Sequence, residues 1–245
     1  MHLVGSLITD IHQNKITVKN LTVSYGNTLA IENISGSFEP GSLTAIVGPN
    51  GGGKSTFLKA LQKLVKPSKG SVIHHCLHVC DRAYLPQQTD LDSSFPLTVY
   101  DVVGMGLWRR RGAFKSYKAE DHTKIMDALN KVGLQGFEQK LIGNLSGGQF
   151  QRMLFARIIL QDSSLIILDE PFNSIDHQTY MHLMDLIKEW HQKNKTIIIA
   201  LHNLDLVREF FPQTLLIGRC CVGWGPTKKI LTDAHIKQSF TNLMV

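Results

Sequence analysis

The sequence predicts an α/β fold: a parallel sheet flanked by helices, with an antiparallel β subdomain and an inserted helical subdomain. Three observations predict it. The stretch 165–201 reads strand, helix, strand, and Leu165–Leu168 and Ile197–Leu201 are uninterrupted apolar runs of the kind buried on both faces of a parallel sheet. A glycine-rich segment, Gly48–Ser55, joins an apolar strand to a helical pattern. Between 95 and 159 the apolar residues switch to helical spacing. The expected organisation is one domain over 1–245. Residues 16–94 and 160–245 form the α/β core and its β subdomain, and 95–159 form the helical subdomain.

The elements follow in order. Ile16–Val23 alternates as a strand and ends at Tyr25-Gly26; Ile31–Phe38 is a second strand, closed by Pro40-Gly41. Leu43–Val47 is a buried strand leading into the glycines. Phe57, Leu58, Leu61, Leu64 and Val65 then mark one helix face, which Pro67–Gly70 terminates. Ser71–Leu85 reads as short strands. Ile125, Met126, Leu129 and Val132 share one helical stripe; Phe150, Met153, Leu154, Ile158 and Ile159 share another. Tyr180, Leu183, Met184, Ile187 and Trp190 form a third, between the two buried strands. Leu215–Ile217 and Gly223–Gly225 suggest final strands, before a helix around Asp233–Phe240.

Composition excludes several classes. With 43% hydrophobic and 19% charged residues the chain is globular rather than disordered. No apolar run approaches the roughly 18 residues that span a bilayer, and Met1–Asp10 lacks the order of a secretory signal. A cytoplasmic location is therefore expected. Four cysteines (Cys76, Cys80, Cys220 and Cys221) are too few for a disulfide scaffold in a chain of this length. The net charge of +6 can indicate nucleic acid or an anionic membrane surface, but the basic residues are dispersed apart from Arg109–Arg111. That cluster reads either as a solvated turn or as a surface near lipid headgroups.

Gly48-Pro49-Asn50-Gly51-Gly52-Gly53-Lys54-Ser55 matches the pattern G-x-x-x-x-G-K-[ST] in its required strand–loop–helix setting. Its glycines let backbone N–H groups converge on phosphate oxygens, and the following helix start, through Thr56, adds positive partial charge. Lys54 is expected to reach the β- and γ-phosphates and Ser55 to ligate Mg²⁺. The pattern indicates a P-loop NTPase, a class that includes kinases and GTPases. Asp169 and Glu170 follow the strand Leu165–Leu168, at the end where parallel sheets place their ligands. Asp169 suits Mg²⁺, and Glu170 suits the orientation or deprotonation of an attacking water.

With Leu145-Ser146-Gly147-Gly148-Gln149 added, the chain resembles the ATPases of ABC transporters over nearly its whole length. The resemblance implies that Tyr25 stacks on adenine and that Gln87, in Tyr84–Gln87, is the glutamine linking core and helical lobe near Mg²⁺ and the water, with Gln88 as a rival. It implies that Asp176, in Ser174-Ile175-Asp176, crosses a dimer interface and that His202 contacts the γ-phosphate. It further implies that Leu145–Gln149 completes the ATP site of a second copy, head to tail. Ser146 is suited to cap a helix beginning near Gly147. Two departures are Gly52, where the family more often has alanine, and Asn203, where aspartate is common.

Phe95–Gly106, Val132–Gln149 and Phe172–Asp176 resemble one branch, the ATPases of manganese, zinc and iron importers. The partners implied are a second copy, integral membrane permease subunits and, indirectly, a solute-binding protein, with no nucleic acid; the chain would sit on the inner membrane face through the permease. The coupling surface is expected near Gln87–Trp108, with Trp108 either an exposed anchor or a core residue. The alternative is a soluble ABC ATPase of cofactor assembly. His74, Cys76, His78 and Cys80 alternate on one strand face and are Zn²⁺-ligand types, but neighbours along one strand diverge poorly onto one metal, so an ordinary edge strand is expected.

Overall fold

The computed structural model describes residues 15–75, 81–87, 95–113, 115–173 and 175–243. They fall into two compact units: Met1–Gln87 with Ser164–Glu170 and His191–Val245, and Gln88–Ser163 with Pro171–Trp190.

The first unit contains two sheets. Strands β1 (Ile16–Tyr25), β2 (Thr28–Phe38) and β4 (Lys69–His74) form an antiparallel sheet in the order β2-β1-β4. Strands β3 (Leu43–Val47), β5 (Arg82–Leu85), β6 (Leu165–Asp169), β7 (Thr196–Ala200), β8 (Gln213–Gly218) and β9 (Cys220–Pro226) form a second, in the order β5-β6-β7-β3-β8-β9. All of its pairings are parallel except β8–β9. Strands β3, β6 and β7 are buried along their whole length, as their unbroken apolar runs require. Helices α1 (Lys54–Leu61), α7 (Leu204–Phe210), α8 (Thr227–Ile230) and α9 (Asp233–Thr241) complete this unit. Register pairs Leu168 with Ile199 and Asp169 with Ala200, and Glu170 N–H donates to Ala200 O at 3.1 Å. The C-terminal ends of β3 and β6 thus lie at one sheet edge, where α/β sheets bind ligands.

The core of this unit includes a ring cluster. Trp224 lies 4.7 Å from Phe38 and 6.1 Å from Phe57 between centroids. Gly36 makes room for it, because a β-carbon there would come within 2.3 Å of Trp224 Cε3. Gly36→Val should therefore overpack the cluster and cost about 1–3 kcal/mol. Thermal unfolding would read this as a midpoint roughly 2–10 °C lower; an unchanged midpoint would mean that the ring yields freely.

Helix α1 ends sooner than its apolar pattern suggests. Lys63 takes a left-handed φ of 60°, Leu64 N–H donates to Lys59 O and Lys63 N–H to Ala60 O. This pair of bonds is a Schellman stop. Leu64 is consequently 62% exposed instead of continuing the buried face. The segment 71–85 holds strands in two different sheets, β4 and β5.

His74 ends β4 with Nε2–H donating to Leu61 O at 2.8 Å. Cys76, His78 and Cys80 lie outside the described residues; among those described, no group of three or more His, Cys, Asp or Glu could hold a metal ion. Burial, with Arg82 nearby, lowers the His74 pKa to about 4. The unfolded chain, with an ordinary value near 6.5, therefore binds the extra proton first. This contribution to stability is complete above about pH 6.5 and is lost as pH falls toward 4. His74→Gln should flatten that part of the pH–stability curve, measured by urea unfolding at pH 7 and pH 5; an identical slope would remove His74 as its source.

The second unit is helical: α2 (Val99–Gly104), α3 (Trp108–Arg111), α4 (Ala119–Lys131), α5 (Gly147–Gln161) and most of α6 (His177–Gln192). The predicted stripes meet in its core, with Ile125, Leu129, Met153, Leu154, Ile158, Leu183 and Ile187 buried and Phe155 stacked on Trp190 at 5.7 Å. Thr98 and Asp101 form a capping box that starts α2. In the run Arg109–Arg111, Arg110 pairs with Asp162 at 3.0 Å and Arg111 with Asp121. Arg110 and Arg111 are therefore engaged by acids of their own unit. Trp108 is 40% exposed. Among the described residues, no helix is long and apolar enough to cross a membrane.

Candidate active site

In the first unit, strand β3 ends at Val47 and the chain turns through Gly48–Gly53 into α1. Gly53 caps that helix in a left-handed conformation (φ 94°), and a side chain there would strike Ile31 Cγ2 at 2.2 Å, so only glycine fits. No side chain caps the helix. First-turn N–H groups have no partner within a helix, so this end is suited to an anion.

Lys54 is 5% exposed and bent back over the loop. Its Nζ donates to Gly48 O at 2.9 Å and to Pro49 O at 3.2 Å, and lies 3.8 Å from Glu170 Oε1. An arriving phosphate offers stronger, charge-assisted bonds than these two carbonyls and can draw the ammonium away. Asp169, the last residue of β6, is 2% exposed. Its carboxylate accepts a hydrogen bond from Ser55, while Oδ1 is buried with no hydrogen-bond partner among the described residues. Burial raises its pKa, with the Ser55 bond acting in the opposite direction. A serine hydroxyl beside an unpartnered carboxylate oxygen is a hard donor set that can hold Mg²⁺.

Glu170 has an unusual left-handed φ of 48°. A non-glycine residue held there stores backbone strain of roughly 1–3 kcal/mol. Its Oε2 accepts from Gln87 Nε2 at 2.7 Å. A cavity of about 300 Å³ opens over these groups, lined by Ala30, Asn50–Thr56, Gln87 and Glu170. The arrangement offers phosphate donors, a cation, an oxygen donor set and a carboxylate that can accept a proton.

Several predicted residues lie outside this lining. Tyr25 ends β1, 49% exposed and not packed into the core. His202 is exposed just after β7. Gln88 and Ser174 lie outside the described residues. Leu145–Gln149 and Asp176 belong to the second unit. There Ser146 caps α5: Ser146 Oγ accepts from Gln149 N–H at 3.3 Å, and Gln149 Oε1 accepts from Ser146 N–H at 3.1 Å. Ala30 was missed by the sequence reading; it lines the cavity without a reactive group, so nothing in its chemistry marks it.

A family model for ABC transporters matches residues 31–173. The chain is 35% identical over 235 residues to the manganese transport system ATP-binding protein MntA of Synechocystis sp., covering 93% of this chain and 90% of that one. It is 34% identical over 232 residues to MntB of Listeria monocytogenes, with 91% and 95% covered. It is 35% identical over 237 residues to the chelated iron transport protein YfeB of Yersinia pestis, with 94% and 80% covered. Among solved structures, an inward-facing metal-chelate type ABC transporter superposes with a TM-score of 0.82 at 28% identity, covering 94% of this chain and 90% of that one. A dimeric bacterial ABC transporter cassette gives 0.76 at 25% identity, covering 86% and 98%. A phosphate loop under a buried lysine, an acid pair at the end of the neighbouring strand, and a match spanning both units together place this chain in the ABC transporter family, as an ATP-binding subunit that hydrolyses ATP.

Proposed function

We propose that this chain powers the import of a divalent metal ion (manganese, zinc or iron) by closing on ATP against a second copy of itself. The carrying observation is the convergence of Lys54, Ser55, Asp169 and Glu170 at one sheet edge, in a chain whose relatives are named as metal transport ATP-binding proteins. Those names favour transport over the cofactor-assembly alternative.

In this reading the N–H groups of Gly51–Thr56 cradle the phosphates and Lys54 leaves the Gly48 and Pro49 carbonyls for the β- and γ-phosphate oxygens. Tyr25 stacks on adenine. Ser55 Oγ and Asp169 Oδ1 hold Mg²⁺, with Gln87 beside it. When bound, Mg²⁺ neutralises phosphate charge. Gln87 releases Glu170, whose carboxylate accepts a proton from the attacking water as the bond between the γ-phosphorus and its bridging oxygen breaks; ADP and phosphate leave. His202 contacts the γ-phosphate. Ser146 and the N–H groups of Gly147 and Gly148 face the γ-phosphate held by the second copy, and Asp176 lies across the interface. Two such sites, related by a two-fold axis, make ATP the adhesive. Closure moves the helical subdomain (95–159), and this moves permease subunits docked near Gln87–Trp108. A solute-binding protein delivers the metal, and the chain stays on the cytoplasmic face through the permease.

Purification from its native membrane should yield the chain with an integral membrane subunit, and cells lacking it should lose ATP-dependent uptake of radiolabelled Mn²⁺, Zn²⁺ or Fe²⁺. A chain recovered free of any membrane subunit, with uptake of all three intact in its absence, would overturn the transport reading.

A further inference from the structure

We infer that Thr179 is a positioning residue of the ATPase reaction: it fixes the Asp176 carboxylate in one orientation beside Gly148, so that it does not turn onto the Gly147 and Gly148 N–H groups that are to meet phosphate. The inference rests on the reading that Leu145–Gln149 serves the nucleotide of a second copy.

All the groups involved belong to the second unit. Asp176 stands immediately before α6, its carbonyl accepting from Tyr180 N–H at 2.9 Å. Both carboxylate oxygens are taken by Thr179: Oδ1 accepts its N–H at 2.8 Å and Oδ2 accepts its hydroxyl at 2.7 Å. Thr179 is only 8% exposed, whereas Asp176 faces solvent, so a buried residue anchors an exposed charge. Those two bonds also hold the Asp176 carboxyl below the usual carboxylate range and keep it anionic.

The anchored carboxylate lies beside the signature loop. A β-carbon on Gly148 would sit 3.7 Å from Asp176 Oδ2 and 3.8 Å from Thr179 Oγ1. These two oxygens thus lie against the Cβ side of the glycine whose N–H should meet phosphate. Ser146 Oγ satisfies Gln149 N–H, but the N–H groups of Gly147 and Gly148 belong to the first helical turn, which has no partner within the helix. A carboxylate is itself a good ligand for such donors. Without the Thr179 hydroxyl, Oδ2 would lose its partner and turn toward them. Asp176 would then compete with the phosphate.

The test is Thr179→Val, which keeps the volume and the N–H but removes the hydroxyl, beside Thr179→Ser, which restores it. Binding of a fluorescent ATP analogue to the single chain should stay within about twofold for both. Turnover of Thr179→Val should fall about 10- to 100-fold, the scale on which misplaced groups act. In a Glu170→Gln background it should need more ATP to form the dimer, and Thr179→Ser should recover both properties. Parental turnover and dimerisation in Thr179→Val would overturn the inference. So would nucleotide binding that declines in parallel with turnover, since the residue would then act only through folding. Ser146→Arg, run alongside, should bind ATP without dimerising. If it dimerises and hydrolyses ATP like the parent, the head-to-tail reading itself fails; if it is blocked while Thr179→Val is normal, only the role of Thr179 fails.

Discussion

Lys54→Ala should lose productive ATP binding and lower hydrolysis by at least about 100-fold, the scale expected when a preorganised charge is removed from developing phosphate charge. The reason goes beyond one missing cation. Lys54 is 5% exposed, braces the loop through the Gly48 and Pro49 carbonyls, and is the cation 3.8 Å from Glu170. Its loss removes the charged donor to Gly48 O and leaves Pro49 O with the Gly52 N–H alone, and it takes a cation from beside the Glu170 carboxylate. A fall in the thermal midpoint without nucleotide should accompany the loss of activity, because hydrogen bonds from a charged group contribute to stability in the folded loop. Phosphate release and equilibrium binding of a fluorescent ATP analogue measure the two effects. Near-normal hydrolysis would mean that the phosphate site is elsewhere.

Glu170→Gln should have the opposite character: ATP binds, a dimer accumulates, and turnover falls by about 10²- to 10⁴-fold, the range attributed to general-base catalysis. The amide has nearly the same shape, so Gln87 Nε2, now 2.7 Å from Glu170 Oε2, still finds an oxygen acceptor. What changes is charge and basicity. A carboxylate close to the bound γ-phosphate repels it, and the amide does not, so the closed state gains stability as the means of opening it by hydrolysis is removed. Size-exclusion chromatography with and without ATP, with phosphate release measured in parallel, reads both. A variant that stays monomeric with ATP and hydrolyses at the parental rate would remove Glu170 from the mechanism.

The two variants differ in a way that only local geometry explains. Glu170 is held at φ 48° with its carboxylate engaged by Gln87, and Lys54 is engaged by its own loop. Both groups therefore rest on protein partners. The sequence could name Lys54, Gln87 and Glu170 because each stands at a fixed offset from an apolar strand or a glycine turn. It could not show the Gln87–Glu170 bond, which joins residues far apart in the chain.

Legibility varied in the same way elsewhere. The buried strands β3, β6 and β7 were readable because an unbroken apolar run has few other places to go. The α5 cap at Ser146 was readable because capping is local. The end of α1 was misread because its apolar spacing runs on through Leu64, while a left-handed Lys63 closes the helix with a stop usually made by glycine. Arg109–Arg111 looked like one basic surface until Asp162 and Asp121 were seen to neutralise two of its members. Asp176 and Thr179 stood three residues apart in plain view, yet their relation to Gly148 depends on how α5 and α6 pack.

By itself, then, the sequence determined the α/β class, the phosphate loop, the acid pair and the family, because each is written in short-range pattern: period, turn chemistry and spacing along one segment. Only the tertiary structure decided the strand order β5-β6-β7-β3-β8-β9, the buried Asp169 carboxylate beside Ser55, and the resting bonds of Lys54 and Glu170. Those depend on which distant segments pair and on what remains buried once they have, and no local periodicity carries that information.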